Sequence, residues 1–161
     1  MELDELLRDR ARLLARIPSH TDVRTRSRAL VATIGSQRFG FAIDRVLRVR
    51  AVGRCTPVPY APPAIVGVAK LEGYVTAVFG GRTWRGLGEE LRVDTPVLLL
   101  SGRESPLALL VDSVVDTIDV PDDLPDLRRD GEPWLRGIVD DVLLVEVDRL
   151  IDLLSTDRGP R

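Results

Sequence analysis

His20 is the only histidine and Cys55 the only cysteine. Nucleophilic catalysis of the Ser–His–Asp or Cys–His kind would have to use His20, because the nucleophile needs an adjacent base. His20 sits in a polar stretch and reads as a solvated loop residue. Cys55 follows Arg54, whose charge would lower the thiol pKa and make it reactive. A packed thiol is the simpler reading. One cysteine supplies neither a disulfide framework nor a Cys-based zinc site within one chain. Asp122, Asp123, Asp126 and Asp130 lie in one loop. A calcium loop needs acids at alternate positions and a glutamate at the twelfth. Counted from Asp126, the middle ligand position falls on Arg128 and the last on Gly137, so the pattern fails. Asp140-Asp141 suits a hairpin turn, where Asp tolerates the backbone required. No phosphate loop occurs, and Gly86-Leu87-Gly88 lacks the third glycine of a dinucleotide fingerprint. The sequence therefore predicts a non-enzymatic chain with no catalytic set, no metal site and no cofactor.

Composition agrees with a folded chain that works through contacts. Hydrophobic residues make up 44% of the 161 residues and charged residues 30%, which suits a soluble globule. Aromatics are only 4%, which argues for a mostly aliphatic core, and a stacking platform for nucleic acid is not expected. The net charge of −2 implies no bulk attraction to DNA or anionic lipid. Lys70 is the only lysine; arginine, the other cation, favours bidentate contacts with carboxylates. The apolar runs fall far short of the roughly 20 residues of a membrane helix. The charged N-terminus does not read as a signal peptide. A cytoplasmic location without membrane insertion is expected.

These residues need a scaffold. Residues 2–17 carry leucines near a 3.6-residue period and predict a helix, ended by Pro18. A polar linker follows, so 1–27 forms one segment, 28–154 a strand-rich domain and 155–161 a tail. Ala29–Ile34 and Phe39–Ile43 flank Gly35-Ser36, a hairpin signal. Strand character continues from Val46 to Val49. Residues 56–63, TPVPYAPP, predict an extended connector, because proline cannot donate to a ladder. Further strands are predicted at Ile65–Ala69, Tyr74–Phe79, Val97–Ser101, Leu107–Val111, Val114–Val120, Leu135–Val139 and Val142–Val147. A helical turn fits within Gly80–Glu90. Asp148 is expected to cap a last short helix, Arg149–Leu154. Short, evenly spaced strands predict a barrel or sandwich. The run Ile65–Val78 is echoed by Leu135–Val147, which suggests two related barrels.

Five blocks in this order resemble the CheW family of bacterial chemotaxis adaptors, from about Ala29 to Leu154. They are Leu30–Gly35 with Arg38–Asp44, the connector at Thr56–Pro63, Ile65–Val78, Leu109–Asp112 and Leu135–Ile138 with the last strand and helix. The resemblance implies a mainly β fold of two SH3-like five-stranded β-barrel subdomains sharing a hydrophobic core. It implies an adaptor that couples a chemoreceptor-type input to a CheA-type histidine kinase. The partners would be the regulatory domain of that kinase and the cytoplasmic tip of a chemoreceptor. Partner-facing positions carried over by resemblance are Val46, Arg48, Thr56, Gly67, Lys70, Glu72, Gly73 and Gly137, with Val46, Arg48 and Thr56 placed in the first barrel.

The sequence departs from the family pattern at Ala77, Gly80 and Ala108, and most sharply in one turn. The family's N-L-R-G reads Lys70-Leu71-Glu72-Gly73 here, so a family arginine becomes a glutamate. This reversal predicts weaker docking to an acidic receptor tip. An alternative is a diverged CheW-like domain in a dedicated complex that binds no receptor. A more remote one is a barrel-type nucleic-acid binder, which needs a basic stripe with exposed aromatics. Here the arginines alternate with acids, and Trp84 and Trp134 lie far apart along the chain.

Overall fold

The computed structural model describes residues 27–102, 106–125 and 132–156. The expected helix over 2–17, its linker up to Arg26, His20, and the acids Asp126 and Asp130 lie outside the described residues. Strand β1 (Ser27–Ile34) and β2 (Gln37–Ala42) form the opening hairpin. A 3-10 turn at Ile43–Arg45 leads to β3 (Val46–Ala51) and the short β4 (Cys55–Thr56). Then come β5 (Ile65–Leu71), β6 (Tyr74–Gly80) and a one-turn helix α1 (Gly81–Trp84). The chain continues through β7 (Pro96–Leu100), β8 (Leu107–Leu110), β9 (Ser113–Val120), β10 (Leu135–Val139) and β11 (Val142–Val145). It ends in α2 (Val147–Thr156).

The strands form two sheets, in the orders β10-β11-β2-β1-β9 and β3-β7-β8-β6-β5-β4. Read position for position, β10, β11, β2, β1 and β9 correspond to β5, β6, β8, β7 and β3. The sixth strand, β4, is an addition at one edge, so the second barrel departs from the five strands expected. Each barrel takes a hairpin from one half of the chain and three matching strands from the other. Val46, Arg48 and Thr56, expected in one barrel, all lie in the six-stranded sheet. A chain that exchanges hairpins in this way cannot complete either barrel from one contiguous half.

The sequence echo has a structural counterpart. In β5–β6 the register slips between Ile65 and Gly67, and in β10–β11 between Leu135 and Gly137. Both hairpins close through two-residue turns with positive φ: Glu72 at 52° and Gly73 at 86°, Asp140 at 47° and Asp141 at 67°. That geometry matches the right-handed twist of the flanking strands. In each repeat the second strand pairs in parallel with a strand of the exchanged hairpin, β6 with β8 and β11 with β2.

Alternation divides the buried side chains among three clusters. Leu30, Ala32 and Ile34 of β1 face a shared core, while Ala29 and Val31 face the interior of the first barrel. On β7, Leu98 and Leu100 join the shared core, while Val97 and Leu99 fill the second barrel. Trp134, Val147, Leu150 and Leu154 seal the shared core from the C-terminal side. Trp84 and Trp134, distant in sequence, meet edge to face at 4.9 Å, with Phe39 beside both. The Arg85 guanidinium lies 5.0 Å from the Trp134 ring centre and 5.1 Å from that of Trp84.

Two local expectations change. The last helix begins at Val147, so Asp148 lies inside its first turn. Its carboxylate accepts a hydrogen bond from Arg45 Nη2 at 2.6 Å, tying the helix to the start of β3. That bond holds the Arg45 pKa above its ordinary value, against an opposing effect of burial. The connector is also more than an extended run, since Ala61 N donates to Val58 O and Ile65 N to Pro62 O, closing two successive turns.

Candidate functional site

Strand β3 contains an extra residue. Val46 pairs with Leu100 and Arg48 with Leu99, which leaves Leu47 out of register. The bulge turns Leu47 outward, 52% exposed, while Val46 and Val49 pack against the shared core. Across from it, Tyr74 and Val75 open β6 with both side chains in solvent, 76% and 75% exposed. Consecutive exposed apolar residues at a strand start break the in–out alternation, and with Leu47 they form an apolar rim.

This rim borders a groove of about 940 Å³ between the six-stranded sheet and α2, with Phe79 and Leu107 among its lining. Ile151, Asp152 and Ser155 of α2 supply the opposite wall. At one end sits Glu72, held in the left-handed region at the hairpin turn. Arg50 Nη1 donates to Glu72 Oε2 at 2.9 Å, and Arg48 Nε lies 3.6 Å from Glu72 Oε1. The Glu72 carboxylate is therefore matched by two arginines of β3.

The expected partner-facing residues separate into groups. Arg48 and Glu72 meet at the groove and line it, and Gly73 follows Glu72 in the hairpin turn. Lys70 is exposed on β5, paired in register with Val75. Thr56 is exposed on β4 beside Gly67, which is buried; a Cβ at position 67 would collide with the Thr56 carbonyl oxygen. Cys55 packs here too, and burial pushes its thiol pKa up rather than down. Arg54 does not activate it. Val46 is half-buried and packs against the shared core. Gly137 is buried on β10 in the other sheet, away from this group. The sequence reading missed Leu47, Arg50, Tyr74, Val75 and Ile151. Only the consecutive Tyr74-Val75 after the turn carried a signal, because the bulge that exposes Leu47 leaves no mark in the sequence. Among the described residues no cluster of His, Cys, Asp and Glu could hold a metal, and no helix is long and apolar enough to cross a membrane.

Known proteins resemble this chain in sequence and in fold. The CheW-like domain family matches residues 14–155. The chemotaxis protein CheW of Rhizobium meliloti (strain 1021) is 31% identical over 136 residues, spanning 81% of this chain and 85% of that protein. In fold, the chain superimposes on the crystal structure of the scaffolding protein TtCheW from Thermoanaerobacter tengcongensis. The TM-score is 0.68 at 18% identity, over 81% of this chain and 96% of that one. With two exchanged barrels around one core, and with the family matching most of its length, the chain belongs to the CheW-like domain family.

Proposed function

We propose that this protein is a non-enzymatic adaptor that couples a chemoreceptor-type input to a CheA-type histidine kinase. The observation that carries this reading is the groove, an apolar cleft whose rim of Leu47, Tyr74 and Val75 stands in solvent. A cluster of this kind costs solubility unless another protein covers it. Its shape and its charged end, Glu72 with Arg48 and Arg50, suit an amphipathic helix such as a receptor tip. The barrel surfaces away from the groove remain for the kinase regulatory domain.

The test is a pair of titrations, against a CheA-type regulatory domain and against a receptor tip fragment, followed by assembly of all three. Val75→Asp should weaken the tip contact by about tenfold or more and leave the kinase contact unchanged. Binding of the kinase domain with no binding of the tip would instead place the chain in a dedicated two-protein complex. Binding to neither would overturn the adaptor reading.

A further inference from the structure

Residues 2–17 precede both barrels. Their apolar side chains, Leu3, Leu6, Leu7, Leu13, Leu14 and Ile17, recur near a 3.6-residue period, the pattern of a helix with one apolar face. Leu3, Leu6, Leu7 and Leu13 lie before the family match, which begins at residue 14. A helix of this length is about 24 Å long and marginal in water by itself, so it needs a surface that covers its leucines. The chain enters the domain close to such a surface. Ala29 of β1 pairs with Ala42, which leads through the Ile43–Arg45 turn into β3. Leu47 on the groove rim is then no more than about 18 Å farther along the backbone. Arg45, in the same turn, bonds to Asp148 of α2, so both walls of the groove meet at this corner. Residues 18–26 reach about 30 Å when extended, enough to return Ile17 to the groove. The charges agree as well. Glu2, Asp4 and Glu5 lead the segment, and Arg8, Arg10, Arg12 and Arg16 follow, with Asp9 between. The groove presents Arg48 on the β3 wall and Asp152 on the α2 wall, a counterpart for each sign.

We propose that residues 2–17 fold back as a helix into this groove and occupy it in competition with the receptor tip. The competition rests on the adaptor reading above; the docking itself does not. The leucine face covers the exposed rim of Leu47, Tyr74 and Val75. The tether makes the competitor intramolecular, at an effective concentration of about 1 mM for a short linker. A contact of only about 0.1 mM then keeps the groove covered about nine times in ten. A receptor tip must displace the segment, so the chain sets its own threshold for coupling.

Hydrogen exchange on the full chain, with no partner present, tests the docking. Amides of residues 7–17 should exchange about tenfold more slowly in the wild-type protein than in the double variant Leu7→Asp, Leu14→Asp. Val75→Asp leaves the segment's own sequence intact and alters only the groove, and it should speed the same amides. Titrated with a receptor tip fragment, the double variant should bind about threefold to tenfold more tightly than wild type. Equal exchange in the wild type and the double variant would overturn the docking. Protection that survives Val75→Asp would overturn the groove as the segment's site. Protection that rises with protein concentration would make the occupant a second copy and overturn the fold-back. Equal tip affinity in the wild type and the double variant would overturn the competition and leave the adaptor reading standing. Absence of tip binding by both would overturn the receptor reading and the competition together.

Discussion

Arg50 and Glu72 join β3 to the β5–β6 turn through a hydrogen bond of 2.9 Å, and Arg48 reaches the same carboxylate. All three side chains keep a third or more of their surface in water, so the network contributes modestly. Glu72→Arg would set three guanidinium groups together. The expected result is a stability loss of about 0.5–1 kcal/mol at low salt, shrinking as salt is added, measured by urea denaturation. At the same low salt an acidic receptor tip should bind the variant more tightly. Because the wild-type carboxylate is already matched by arginines, the gain should stay below about tenfold, less than an unpaired like charge would give. A loss of stability that does not respond to salt would remove the network from this account.

Gly67 and Gly137 occupy matching places in the repeats but should respond differently to side chains. A Cβ at 67 would collide with the Thr56 carbonyl and lie 2.8 Å from Cys55 Sγ, whereas one at 137 would meet Pro125 O at an acceptable 3.4 Å. Gly67→Ala should cost about 2–4 kcal/mol and Gly137→Ala less than about 1 kcal/mol. Equal losses on thermal or denaturant unfolding would contradict the close approach of β4 to β5.

Val46 and Leu47 are neighbours with opposite duties. Val46 packs against the shared core, so Val46→Asp places a carboxylate against apolar neighbours and should destabilise by about 2 kcal/mol or more. Leu47 is exposed at the groove, so Leu47→Asp should leave the melting temperature within a few degrees and weaken docking of the receptor tip. Loss of fold in Leu47→Asp would mean that the β3 bulge does not turn this residue outward.

Burial raises the Cys55 thiol pKa above its ordinary value of about 8.5. As pH rises past that value, the unfolded chain gives up the thiol proton before the folded one does. The contribution is therefore fully present below the ordinary value and lost as pH climbs through the raised one. Urea midpoints at neutral and alkaline pH, in reducing buffer, should fall more steeply for the wild-type protein than for Cys55→Ala. Native alkylation at Cys55 should also lag behind that in urea at the same pH. Parallel slopes and equal alkylation rates would show the thiol to be open.

The sequence by itself determined the strands, because period-two runs of Val, Leu and Ile between turn residues leave few other structures open. It determined the matched hairpins too, through Gly67 and Gly137, and the two-residue turns at Glu72-Gly73 and Asp140-Asp141. Local chemistry decides those features, and local chemistry is what a sequence displays. Only the tertiary structure decided the exchange of hairpins between barrels, which brings β1 beside β9 and β3 beside β7 across long stretches of chain. It alone set Arg48 and Arg50 against Glu72, turned Val46 inward and Leu47 outward at a single bulge, and left Tyr60 exposed at a strained turn. Pairing register and barrel closure fix such relationships, and both arise from contacts between segments that are strangers along the chain.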